Sequence, residues 1–110
     1  MYDKETLNKA QEGVSYVLER TKEPLFSDHA KARLRERDIT KHQVTTALLS
    51  GRVVEGHRPF HYPRGPQSNQ NVDPVFTFHL PLSDRTLCVA VAVKMQGGHA
   101  KVWVVTVYWK

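Results

Sequence analysis

At 110 residues, 40% hydrophobic and 25% charged, the chain has the size of one folded domain, too short for two cores and too apolar to stay disordered. Sixteen Lys and Arg against eleven Asp and Glu leave a net charge of +5, which favours a polyanionic partner such as nucleic acid. Cys88 is the single cysteine, which excludes an intrachain disulfide and a cysteine-based zinc site, and no apolar run reaches the length of a signal peptide or a membrane span.

Leu7, Ala10, Val14, Val17 and Leu18 recur at helical spacing between Asp3, a residue suited to an N-cap, and Pro24, so residues 4–21 read as an amphipathic helix. A second, short and strongly basic helix starts near Ser27 or Asp28 and runs to Arg37. Thr40 followed three residues later by Gln43 makes a capping box, and Val44, Ala47 and Leu48 carry a third helix to Gly51. The period then changes to two. Val53 and Val54 form a short strand that leads into a polar, proline-rich loop over residues 57–74. Strand-like runs follow at 75–80, 86–95 and 101–109, separated by short turns at 81–84 and 96–99, which predicts an antiparallel meander. Helices first and strands after them describe one α+β domain over residues 1–110.

Alternation sorts the strand side chains onto two faces. Phe76, Phe78 and Leu80 share one face of the first run, and Leu87, Val89, Val91 and Val93 share one face of the next. In the last run Trp103, Val105, Val107 and Trp109 form the better core set. If these faces cover the helices, the opposite face carries Thr77, His79, Lys94, Thr106 and Tyr108 over a floor of Cys88, Ala90 and Ala92, a shallow polar saucer. The plainer interpretation of those residues is the solvent side of a two-layer domain.

On the second helix His29, Arg33 and Arg37 lie four residues apart, so an imidazole and two guanidiniums line one flank. Cleaving RNA without a metal needs a base for the 2′-hydroxyl, an acid for the leaving oxygen and cations for the phosphate, and these residue types meet that need. A solvated basic helix face is the alternative. His57 and His61 have a spacing that could hold a metal, but they fall in the proline-rich loop without clustered carboxylates or a thiol, so neither a metal nor a cofactor is expected. Cys88, mid-strand among apolar residues, reads as packing.

Phe26-Ser-Asp-His-Ala30, Arg33, Arg37, Asp38-Ile39-Thr40, Val44 and Leu48-x-x-Gly51 resemble a small bacterial domain of uncharacterised-family rank with the pattern "HA…R…R-x-I-(S/T)…V…al…G". That family closes on a strand reading "TVY", and Thr106-Val107-Tyr108 is similar to it. The resemblance covers residues 25–110 and leaves the first helix outside. The family looks like a branch of the BECR (barnase/EndoU/colicin/RelE) ribonucleases, which implies N-terminal helices packed on a four-stranded antiparallel sheet.

The resemblance further implies a metal-independent ribonuclease toxin acting on RNA, such as tRNA or mRNA, in the cytoplasm, from a toxin-antitoxin pair or the tip of a secreted contact-dependent effector. An acidic antitoxin or immunity protein would be its partner, with no membrane involved. It makes His29 the catalytic base or acid, Arg33 and Arg37 its phosphate partners, and Thr106 and Tyr108 contacts to the same phosphate. His79 and Lys94 join as substrate-binding residues on strand alternation alone. Two other functions fit the same residues: a non-catalytic module binding RNA, DNA or an acidic protein through the Arg33, Arg35 and Arg37 ridge, and a scaffold using Phe60, Tyr62 and Trp109 as a protein-binding surface.

Overall fold

In a computed structural model, residues 2–63 and 72–110 are described, as helices α1 (Lys4–Thr21), α2 (Asp28–Glu36) and α3 (Lys41–Ser50) and strands β1 (Leu25–Phe26), β2 (Arg52–His57), β3 (Val75–Pro81), β4 (Thr86–Gln96) and β5 (His99–Trp109). The fold is α+β, with helices preceding the long strands as the order of patterns predicts. The sheet, however, has five strands in the order β1-β5-β4-β3-β2, and it is mixed: β1 pairs parallel to β5 through Leu25 with Trp103 and Phe26 with Val104. The expectation of four antiparallel strands misses this strand because a two-residue segment between helices carries no alternation. Residues 64–71 of the expected proline-rich loop lie outside the described residues, and His57 is the last residue of β2.

Local chemistry sets each helix start. Asp3 accepts from the Thr6 amide at 2.8 Å, Ser27 from the Ala30 amide at 3.0 Å, and Thr40 and Gln43 close a reciprocal capping box. At the end of α3, Gly51 is required for space: a Cβ there would stand 2.4 Å from the Ala47 carbonyl oxygen and 2.7 Å from that of His79. The close approach lets the chain pass directly from α3 into β2 beside β3.

The core lies between the helices and one face of the sheet. Val14, Val17 and Leu18 of α1, Ala30 and Leu34 of α2, and Val44, Ala47 and Leu48 of α3 pack with Phe78, Leu87, Val89 and Val91. The facing sets expected on β3 and β4 are therefore correct except for Val93, which is 37% exposed near the end of β4 and outside the core. On β5 they change phase: the register slips between the Ala90 and Val91 pairings, leaving Val105 as an extra residue in a β-bulge. Val107 and Trp109 stay on the helix side, but Val102 and Val104 join them there, whereas Trp103 and Val105 turn to the outer face. Val102–Val105 contains no polar residue, so both phases look apolar and alternation has nothing to choose with.

That outer face is partly covered. Tyr62, 2% exposed, packs with Val75, Ala90 and Val105 over the alanine floor, and His57 meets its ring edge-on with centroids 5.4 Å apart. Trp109 is half-buried and its Nε1 donates to the Arg37 carbonyl at 2.9 Å, while the Arg85 guanidinium stacks 3.5 Å from its ring centroid. Of the three aromatics expected on a protein-binding surface only Phe60, 56% exposed, is outside such packing. Among the described residues no helix is long and apolar enough to cross a membrane.

Candidate functional site along the edge of β5

Beyond β1 the outer edge of β5 is closed by α2. The Ser27 hydroxyl donates to the Val105 carbonyl at 3.1 Å and its amide donates to the Val104 carbonyl, so the start of α2 is tied to the bulge. At the other end, Arg37 Nη1 donates to the Val107 carbonyl and Trp109 Nε1 to the Arg37 carbonyl. With Ala30 and Leu34 turned into the core, the flank carrying His29, Arg33 and Arg37 lies half-buried along this edge. The four-residue spacing seen in the sequence thus becomes one stripe of α2, which reaches the strand bearing Thr106 and Tyr108 through Arg37.

The electrostatics of the row suit an uncharged imidazole. Partial burial, then the neighbouring positive charges of Arg33 and Arg37, lower the pKa of His29 below its ordinary 6.5, with Glu36 opposing. Arg33 forms an ion pair with Glu36, and Arg37 uses one N–H on the Val107 carbonyl; each guanidinium has five donors, so both retain capacity for a phosphate.

On the outer face, cross-strand register aligns Arg52 with His79, His79 with Cys88, and Cys88 with Tyr108. Tyr108 therefore stands between His79, two strands away across the buried Cys88, and the α2 flank along its own strand. His79 is also lowered from 6.5, by partial burial and then by Lys110, with Glu55 opposing. Lowered in this way, it adds no positive charge to the face at pH 7. Glu55 pairs in register with Thr77, one row along on the same face. Neither Arg52 nor Glu55 stands out in the sequence; β2 reads as too short there, and a bulge at Val54 hides their phase.

Two expected members fall outside this grouping. Thr106 faces outward in register with Ala90 but is only 3% exposed, so its hydroxyl is not open to a ligand. Lys94 is six residues from Cys88 along β4, roughly 20 Å at the rise of a strand, and its Nζ is 3.0 Å from Asp73. The single saucer expected from alternation is consequently divided by Tyr62, with Lys94 at one end and His79 and Tyr108 at the other. A hollow of about 770 Å³ lies elsewhere, between α1 and β2, and includes Arg52 but none of the residues that the sequence pattern picks out for the site.

These features define a small basic α+β domain with helices on one sheet face and a histidine–arginine flank along the terminal strand. Residues 26–109 match a family described as a domain of unknown function, DUF4258, and the chain belongs to that family. The match begins at Phe26 and leaves α1 outside, as the resemblance in the sequence does. No curated protein and no solved structure matches the chain.

Proposed function

We propose that the protein is a metal-independent endoribonuclease of the toxin type. The observation that carries this reading is the His29 flank: an imidazole held neutral at pH 7 beside two guanidiniums, along a strand that presents an outward phenol. His29 takes the proton of a 2′-hydroxyl, and the freed O2′ attacks the adjacent phosphorus while Arg33 and Arg37 stabilise the added negative charge. The bond from phosphorus to the 5′ oxygen breaks, and that oxygen takes its proton from the Tyr108 hydroxyl. The products are a 2′,3′-cyclic phosphate and a 5′-hydroxyl. His79 hydrogen-bonds the nucleotide from across the row.

Kinship with the BECR ribonucleases is part of this proposal and is supported by the order of elements, helices before the long strands; the parallel β1 is an addition to the four antiparallel strands of that scheme. A toxin with a net charge of +5 would be held in check by an antitoxin or immunity protein with an acidic surface.

Incubation of the purified protein with total RNA or tRNA in EDTA tests the proposal. Scission leaving cyclic-phosphate ends is expected, with His29→Ala slowed by about 10²-fold or more. A parent that cuts no RNA refutes the reading, and a His29→Ala variant as fast as the parent removes that imidazole from the chemistry. The burial of Thr106 and the Arg33–Glu36 pair favour a second reading, an RNA-binding module without catalysis, for which binding would weaken with salt and no strand would be cut.

A further inference from the structure

Past the α2 flank along the same sheet edge, two hollows adjoin one another. One, about 280 Å³, surrounds β1 and is lined by Lys22, Phe26 and Lys41; the other, about 660 Å³, lies between the end of α1 and the β4–β5 turn and is lined by Tyr16, Arg20 and Lys101. Thr21 lines the second and the next residue, Lys22, the first, so the two lie on either side of the end of α1. Four Lys and Arg residues, Arg20, Lys22, Lys41 and Lys101, line the two hollows of this band, with His42 and His99 beside them, against one carboxylate, Glu23, among the described lining residues.

The band also contains a ring placed for stacking. Tyr16 is 57% exposed, and the Arg20 guanidinium lies 4.4 Å from its centroid, donating to the Tyr16 hydroxyl. At the other end Lys41 Nζ sits 5.4 Å from the Phe26 ring. A solvated charge cluster has no need of an exposed aromatic braced by an arginine. Single-stranded nucleic acid does, because each base offers a π-face and each linkage a negative charge.

We propose that this band is a track for single-stranded RNA, with Tyr16 and Arg20 stacking a base and Lys22, Lys41 and Lys101 neutralising successive phosphates. The inference rests on the ribonuclease reading and deepens it by giving the substrate class: Lys101 and Tyr108 are seven residues apart on β5, about 23 Å at the rise of a strand, so the preferred substrate is an unpaired stretch of several nucleotides. A dinucleotide occupying the His29 row is too short to reach the track.

Binding of a labelled single-stranded RNA of roughly twelve nucleotides, followed by fluorescence anisotropy across a salt series in the His29→Ala background, tests the track apart from cleavage. Replacing Lys22, Lys41 and Lys101 together with Gln should flatten the dependence of log K on log salt by about 2, at about 0.7 for each phosphate no longer neutralised. Replacing Lys4, Lys9 and Arg58 with Gln removes the same charge elsewhere and should leave the slope nearly unchanged. Tyr16→Ala should weaken binding roughly fivefold to a hundredfold with the slope kept. In the cleaving parent background, the track substitutions should slow cutting of long RNA and spare a dinucleotide. Equal slopes for the two triple variants, or no effect of Tyr16→Ala, would overturn the track. RNA binding with the predicted slopes by a parent that cuts nothing would leave the track standing and dismiss the ribonuclease.

Discussion

Ser27 joins the start of α2 to the bulge of β5, and its truncation tests how the candidate site is held. Its hydroxyl accepts from the Ala30 amide at 3.0 Å, capping α2, and donates to the Val105 carbonyl at 3.1 Å, fastening the helix to the β5 bulge. Ser27→Ala removes both bonds and leaves the Val105 carbonyl without that donor. The lost cap costs about 1 kcal/mol and the lost tether about another 1 kcal/mol. At roughly 2.1 cal/mol/K of unfolding entropy per residue over 110 residues, a total near 2 kcal/mol lowers the melting temperature by about 9 °C. Urea unfolding followed by circular dichroism measures the loss, and Ser27→Asp separates its parts, since a carboxylate keeps the cap and cannot donate to Val105. The expected order is parent, then Ser27→Asp, then Ser27→Ala. Because the same tether fixes the start of α2, two residues before His29, the proposed RNA cleavage should fall in both variants even where each is fully folded. A Ser27→Ala protein within about 0.5 kcal/mol of the parent, in the range of an ordinary surface change, would show that the bulge and the helix are held by other contacts.

Other perturbations have equally definite outcomes. Gly51→Ala forces a methyl group against two backbone carbonyls that cannot swing aside, so a loss of about 2 kcal/mol or more is expected in the same urea assay. Trp109→Phe keeps most of the ring's packing but removes the donor to the Arg37 carbonyl, for a loss of about 1 kcal/mol and a weaker hold on the end of α2. Acid should destabilise the protein through His29 and His79. Both native pKa values lie below 6.5, so below that pH the unfolded chain binds protons first, and stability falls from pH 6.5 down to the native values. Urea midpoints at pH 7.5 and 5.5 should therefore converge when both histidines are replaced by Gln. In the cleavage assay the acidic limb of kcat/KM should have its midpoint below 6.5, because the base must be neutral.

What the sequence determined by itself is mostly local. Asp3, Ser27 and Thr40 announce three helix starts through hydrogen bonds that span only three residues, and the stripes of α1 and α3 follow from a fixed period. The row of His29, Arg33 and Arg37 is legible for the same reason, since four residues make nearly one turn of a helix. Tertiary structure decided the rest. Two-residue β1 exists only because β5 offers it a partner some 78 residues away, as the separation from Ser27 to Val105 shows. The phase of β5 rests on a bulge between residues that are apolar in either register, so Trp103 and Val105 reached the outer face without any local sign. Likewise Arg52, His79 and Tyr108 share a row, and Lys94 does not, because pairing across strands sets a position that no spacing along the chain contains. Helix contacts are near neighbours in sequence; sheet contacts are chosen among distant segments, and that choice is made only when the whole core closes.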